Sequence, residues 1–145
     1  MSEAPEKPFR LRPRVTPGNE HFWRGGRDGE LRFLRCGPCD TWVHPPSPRC
    51  PACLSKDLAP KPVSGLGAVH TFTLNHQPWV PSSDHPYVIA IVELDEQPGL
   101  RLMTNVVGCP AERVHVGMRV RVVFENHDDD VWFPLFEPVE EAGTP

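Results

Sequence analysis

Two C-x-x-C pairs constrain this chain more than any other feature. Cys36-Gly37-Pro38-Cys39 is followed, ten residues later, by Cys50-Pro51-Ala52-Cys53. Zinc favours four sulfur or nitrogen ligands in a tetrahedron, and each short C-x-x-C turn supplies two thiolates. Gly37 permits a tight turn, while Pro38 and Pro51 stiffen the two knuckles. The alternatives are a pair of disulfides or four unrelated cysteines; the spacing favours one tetrahedral metal, zinc ahead of iron. Four protein thiolates leave no open position for water or substrate, so Cys36, Cys39, Cys50 and Cys53 are expected to hold a structural Zn2+.

Bulk composition sets the frame. The 145 residues suffice for one ordinary domain or two very small ones. With 39% hydrophobic and 23% charged residues the chain reads as globular rather than disordered. No apolar run approaches the ~20 residues of a membrane span, and Met1 to Pro8 is polar and charged, without the apolar core of a signal peptide. A cytoplasmic, reducing setting is the expectation, and it favours metal over disulfides. Cys109, the odd fifth cysteine, sits in no motif and reads as a small buried apolar residue. The 19 prolines argue against long helices and for short strands joined by stiff loops. Residues 1–61 hold eleven Lys/Arg against seven Asp/Glu, a net of +4; residues 62–145 hold four against twelve, a net of −8. A basic front half is joined to an acidic back half.

Four segments follow. Residues 1–15 form an extended arm, because Pro5, Pro8 and Pro13 prevent a regular helix. Its alternating Arg10, Arg12 and Arg14 suit either solvent exposure or contact with a partner or anionic ligand. Residues 16–63 carry a short helix and a zinc ribbon. Thr16 is placed as N-cap, Pro17 at the first helical position and Glu20 in the first turn, with the end before Gly25-Gly26. Phe22 and Trp23 point about 100° apart, so one core stripe cannot bury both. One could pack on the ribbon and the other elsewhere, or both could serve a small local core. Glu30–Arg35 enters the first knuckle as a strand, Trp42-Val43 returns, Pro45-Pro46-Ser47-Pro48 links to the second knuckle, and Leu58–Val63 leaves the ribbon. So few apolar residues need a metal to fold.

Residues 64–138 change to period-two alternation, which supports antiparallel strands. Five are expected: Ala68–His76, Tyr87–Asp95, Leu100–Val107, Arg119–Glu125 and Val131–Glu137. Gly65-Leu66-Gly67 suits a coil or bulge that bends the first strand. Five strands with a short insertion, Cys109 to Val116, fit an OB barrel. The fold class is thus mainly β, with a short N-terminal helix, a rubredoxin-like zinc ribbon and a five-stranded OB-fold barrel. Residues 139–145 are a tail.

Little here resembles a catalytic centre. The seven histidines form no H-x-x-x-H or H-E-x-x-H pair and read as surface or barrel-rim residues. Ser82-Ser83-Asp84-His85 has hydrolase residue types, but in one loop, and reads as a turn. Asp128-Asp129-Asp130 lacks the spacing and glycine of a calcium loop and reads as a hairpin tip. The barrel half is acidic, and its middle strands, Val88–Val92 and Leu102–Val106, lack aromatics. Both facts count against nucleic acid, although single-strand binding by an OB fold is the alternative reading. An independent metalloenzyme would need an open coordination position, which four thiolates do not leave.

The order of these pieces resembles the family of zinc-ribbon plus OB-fold proteins that accompany thiolase-superfamily enzymes of acyl-CoA metabolism. The likeness covers about residues 16–138. It rests on Phe22-Trp23, Gly29-Glu30-Leu31, Arg35-Cys36-Gly37-Pro38-Cys39 and Pro45-Pro46. It continues through Cys50-Pro51-Ala52-Cys53, Gly65-Leu66-Gly67-Ala68-Val69, Pro86-Tyr87-Val88-Ile89-Ala90 and Val116-Gly117-Met118-Arg119-Val120. The resemblance implies zinc on the four cysteines, and a barrel and helix docked on a thiolase-like dimer as a hetero-oligomer. Catalysis on an acyl-CoA thioester would lie in the partner. Some members are fused to a hydratase fold, and one branch is the accessory of a steroid side-chain aldolase. Phe22, Trp23, Arg24, Arg27, Arg32 and Arg35 become candidate contacts to coenzyme A or the partner, with solvent exposure as the alternative for each arginine. Trp79-Val80-Pro81 and Trp132-Phe133-Pro134, taken as barrel loops, are candidate partner contacts, with core packing as the rival. Gly37-Pro38 and Asp40 depart from the family's polar residues and glycine, which should alter the turn but not the ligation.

Overall fold

The computed structural model describes residues 10–77, 86–128 and 130–139. Among these residues the proline-rich chain forms one short α-helix, α1 (Glu20–Arg24), continued by a 3-10 turn over Gly25–Asp28. Thr16 does not cap it. Thr16 to Asn19 is a separate turn in which the Thr16 N–H donates to the Asn19 side chain at 2.7 Å, and the helix begins after Asn19. Gly29 ends the unit in the left-handed region, φ 71°, as an Asp-Gly turn requires.

The ribbon is a three-stranded sheet in the order β2-β1-β3, with β1 Leu31–Cys36, β2 Trp42–Val43 and β3 Leu58–Val63. Leu58–Val63, expected only to lead out of the ribbon, pairs with the whole of β1, from Leu31↔Val63 to Cys36↔Leu58. Pro60 and Pro62 belong to it because an edge strand tolerates residues whose missing N–H would face outward.

The second module is a closed barrel in the order β4-β5-β6-β8-β7. Its strands are β4 Leu66–Asn75, β5 Tyr87–Leu94, β6 Arg101–Val106, β7 Arg119–His127 and β8 Val131–Pro138. All five match the alternating segments of the sequence to within two residues at each end. The insertion between β6 and β7 contains only a 3-10 turn, Ala111–Arg113. Alternation explains the core: Val88, Ala90, Val92 and Leu94 are buried while their neighbours are half-exposed. The bulge in β4 falls at His70, where the register to β5 shifts between Val69 and Thr71. It does not fall at Gly65-Leu66-Gly67. Gly67 instead lets β4 lie against the Glu93 carbonyl, where a Cβ would collide.

Two of the joints between the N-terminal module and the barrel differ in kind. In one, the Gln97 side chain imitates a neighbouring strand: Trp42 N–H donates to its Oε1 at 2.9 Å, and its Nε2 donates to the Trp42 carbonyl at 3.1 Å. In the other, α1 divides its aromatics. Phe22 is buried against Phe33 of the ribbon, ring centroids 6.4 Å apart, while Trp23 meets Phe133 of β8 edge-on at 5.5 Å. Replacing Gln97 by Leu orphans both Trp42 backbone groups and should cost about 1–3 kcal/mol. Urea unfolding of the zinc-loaded chain reads that loss, and Gln97→Glu, which keeps one acceptor, should lose less.

Candidate metal centre and inter-module groove

The two knuckles are built alike. Cys36 N–H donates to the Thr41 carbonyl and Asp40 N–H to the Cys36 carbonyl, both at 2.9 Å. Cys50 N–H donates to the Ser55 carbonyl at 2.9 Å and Leu54 N–H to the Cys50 carbonyl at 2.8 Å. Asp40 and Leu54 occupy equivalent left-handed positions, φ 61° and 67°. Asp40 therefore leaves the turn unaltered rather than reshaping it, since Asp enters this region more readily than Leu.

Folding brings all four sulfurs together, within 4.8 Å of one another. Cys36 Sγ lies 3.4 Å from Cys53 Sγ, and Cys39 Sγ 3.6 Å from Cys50 Sγ, so each close pair crosses between knuckles. A tetrahedral zinc with sulfurs at ~2.3 Å has edges of roughly 3.8 Å, close to this spacing. The first cysteine of each knuckle is buried and the second exposed. The thiols are poised differently. The Thr41 hydroxyl and backbone hold Cys39 down at about 6. The Cys53 backbone N–H likewise lowers Cys50. At Cys36 the Cys39 backbone N–H acts downward, but desolvation and the adjacent thiols of Cys53, Cys39 and Cys50 push it up to about 12. A divalent cation relieves this crowding by replacing protons. The donor set fits Zn2+, and no ligand position remains open once four thiolates bind.

Sequence reasoning missed His44. It is no rim residue: its ring stacks on Phe33 at 4.3 Å and on Phe22 at 5.0 Å, and its buried Nδ1 has no hydrogen-bond partner. Desolvation, then the proximity of His21, drives its pKa down to about 4. Only its place after β2, before Pro45-Pro46, hinted at a fixed role.

Beside this stack a groove of about 520 Å³ runs between the ribbon and the barrel face of β6 and β8. Phe22, Trp23 and Phe133 form aromatic walls, Met103 is 69% exposed on the far side, and Arg10 and Arg101 supply cations. Arg10 is anchored there by Glu125 and by Asn105, and lies over the Phe133 ring.

The other candidate contacts are already engaged. Arg24 pairs with Glu20 and Asp130, and Arg32 with Asp28 and Glu30. Arg27 lies over Trp132 at 5.2 Å, and Arg35 lies over Trp42 at 4.8 Å while donating to the Asp40 carbonyl. Trp132, Phe133 and Pro134 sit within β8 rather than in a loop, and their rings pack within the chain. Trp79-Val80-Pro81 and Ser82-Ser83-Asp84-His85 lie outside the described residues. Asp128 and Asp130 flank the β7–β8 turn and pair with Arg12 and Arg24. Cys109 is half-buried against the core.

A four-thiolate ribbon packed on a closed five-stranded barrel defines a zinc-ribbon/OB-fold protein. Family models agree on both modules: the ChsH2 rubredoxin-like zinc ribbon domain matches residues 23–59, and the ChsH2 C-terminal OB-fold domain matches residues 60–125. The chain belongs to this ChsH2, or DUF35, family. It is 37% identical to a DUF35 domain-containing scaffold protein of Methanocaldococcus jannaschii, over 74% of this chain and 80% of that one. It is 35% identical over 95% of its length to a probable enoyl-CoA hydratase alpha subunit of Thermomonospora curvata. It is 34% identical over 82% to the 3-oxo-4,17-pregnadiene-20-carboxyl-CoA hydratase alpha subunit of Mycobacterium tuberculosis. The chain spans only 43% and 37% of those two hydratase subunits. Among solved structures, a chain of the Ltp2-ChsH2(DUF35) aldolase superposes with TM-score 0.78 and 35% identity, covering 88% of this chain and 98% of that one. A DUF35 protein of Sulfolobus solfataricus, at 17% identity and TM-score 0.58, shares the fold.

Two outcomes test the site. Cys36→Ser should abolish stoichiometric zinc and unfold the ribbon, read by metal analysis and by loss of Trp42 fluorescence contrast. Separately, His44 binds protons less readily folded than unfolded, so stability is full above its ordinary value of 6.5 and declines as pH falls toward 4. The loss should reach about 3 kcal/mol, and His44→Phe should flatten that part of the pH–stability curve.

Proposed function

We propose that this chain is a non-catalytic, zinc-stabilised subunit that docks on a thiolase-fold enzyme and completes it for work on acyl-CoA thioesters. The observation that carries this is the match to the DUF35 chain of the Ltp2-ChsH2(DUF35) aldolase, which this chain covers almost end to end. The hydratase subunits it resembles are likewise named for CoA substrates. Four thiolates closing the coordination sphere support a scaffolding role for the metal. The partner's dimer would carry the reaction, carbon–carbon cleavage by a retro-aldol step on a steroid side-chain CoA intermediate being the specific form. A cytoplasmic setting, where thiols stay reduced, suits the metal centre.

The groove offers a place where the assembly would meet its ligand or partner. Its aromatic lining matches a surface that accepts an apolar group. Phe22 and Trp23 line it directly. Arg24, Arg27, Arg32 and Arg35 would contact coenzyme A or the partner only by sharing or exchanging the internal contacts described above.

Co-expression with thiolase-fold proteins encoded near this chain, followed by affinity purification, tests the reading. A stable hetero-oligomer, with retro-aldol activity only when both chains are present, is the expected result. Trp23→Ala should weaken the complex by roughly 1 kcal/mol or more while leaving zinc content unchanged. Capture of a hydratase in place of any thiolase-fold chain would overturn it.

A further inference from the structure

Among the described residues, the outer edge of β4 is uncovered over Thr71–Leu74. β4 pairs with β7 only over Leu66–Ala68, and with β5 over Gly67–Asn75. Among the described residues, no backbone group outside β5 reaches Thr71–Leu74. The bulge at His70 decides which groups face outward. Val69 exchanges hydrogen bonds with Gly117 and Met118, so its backbone faces the β7 side. One extra residue at the bulge then reverses parity: Thr71 and Thr73 turn their backbone to β5, and Phe72 and Leu74 turn theirs outward. Burial agrees, since Phe72 and Leu74 point to the core side but are only half-buried, while the Thr71 and Thr73 side chains are exposed.

The ribbon's edges are guarded, and among the described residues this one is not. Pro60 and Pro62 remove donors from β3, and Gln97 caps β2. Thr71–Leu74 has no proline, no charge and no bulge within it. An uncharged edge with outward backbone groups is a template for another strand.

Its pattern is self-complementary. In an antiparallel pair centred on Thr73, Phe72 lies opposite the second copy's Leu74, and Leu74 opposite its Phe72. Both are hydrogen-bonded positions, and both extend the barrel's apolar face. Thr73 meets Thr73 on the two-fold axis as a non-hydrogen-bonded pair. Aromatic–aliphatic and Thr–Thr pairs are favourable cross-strand neighbours. We propose that two copies of this chain associate through β4, antiparallel, about a two-fold axis at Thr73. The inference stands on this edge alone and does not depend on the partner reading above.

The test uses the full zinc-loaded chain. Sedimentation should give a dimer mass. Thr73→Cys should form an intermolecular disulfide on mild oxidation, because non-hydrogen-bonded Cα atoms lie ~4.5 Å apart, within disulfide reach. Thr71→Cys should not exceed the wild-type background, because the two Thr71 positions would be roughly 14 Å apart. Thr73→Lys, with zinc content and unfolding midpoint unchanged, should raise the dimer dissociation constant several-fold by opposing like charges. A monomeric wild type overturns the proposal, whether the edge is empty or awaits another protein's strand. Equal cross-linking of the two cysteine variants overturns it as well.

Discussion

The convergence of four sulfurs is the constraint on which the ribbon depends. Residues 31–63 bury only a few apolar side chains, among them Leu31, Phe33, Trp42, Val43 and Val63. That is too little for a sheet of this size to fold on burial alone. Matched backbone hydrogen bonds at Cys36 and Cys50 hold the four sulfurs at the spacing one metal ion needs. Metal binding and ribbon folding are thus one equilibrium. Everything downstream of the ribbon inherits its order: β2 must be in place for Gln97 to grip it, and Phe33 must be in place for His44 and Phe22 to stack.

The barrel is organised by a different force. Its strands alternate, and its core is largely aliphatic around the buried Phe136. The two modules meet through contacts of distinct kinds, among them a bidentate amide at Gln97, an aromatic ladder through His44, Phe22, Trp23 and Phe133, and Arg27 over Trp132. The opposite charges of the two halves are also used internally. Arg10, Arg12 and Arg24 pair with Glu125, Asp128 and Asp130. The basic arm and helix therefore neutralise part of the acidic barrel.

Elements with a strict local period were legible in the sequence, as the five barrel strands and the C-x-x-C knuckles show. The position of Phe22 and Trp23 on different faces was legible too, because helical geometry separates adjacent residues by 100°. Contacts set by tertiary packing were not. Nothing in the local sequence marks Gln97 as a surrogate strand or His44 as a ring between two phenylalanines. Pro60 and Pro62 masked β3 because proline is read against strands, and only the three-dimensional order shows that they lie at an edge. The β4 bulge fell at His70, while Gly65 supplies a positive-φ coil residue just before the strand.

The joint between Arg10 and Glu125 spans 115 residues, whereas the ribbon's sheet closes entirely within residues 31–63. Chains emerge from the ribosome N-terminus first, and local contacts form before distant ones. The ribbon can therefore capture its metal while the barrel is still being made. Arg10 precedes its anchoring sites on β6 and β7 by about a hundred residues, so it can dock only after those strands exist. Sequence separation alone thus orders the contacts: the ribbon sheet closes locally, and the docking of Arg10 waits on the barrel.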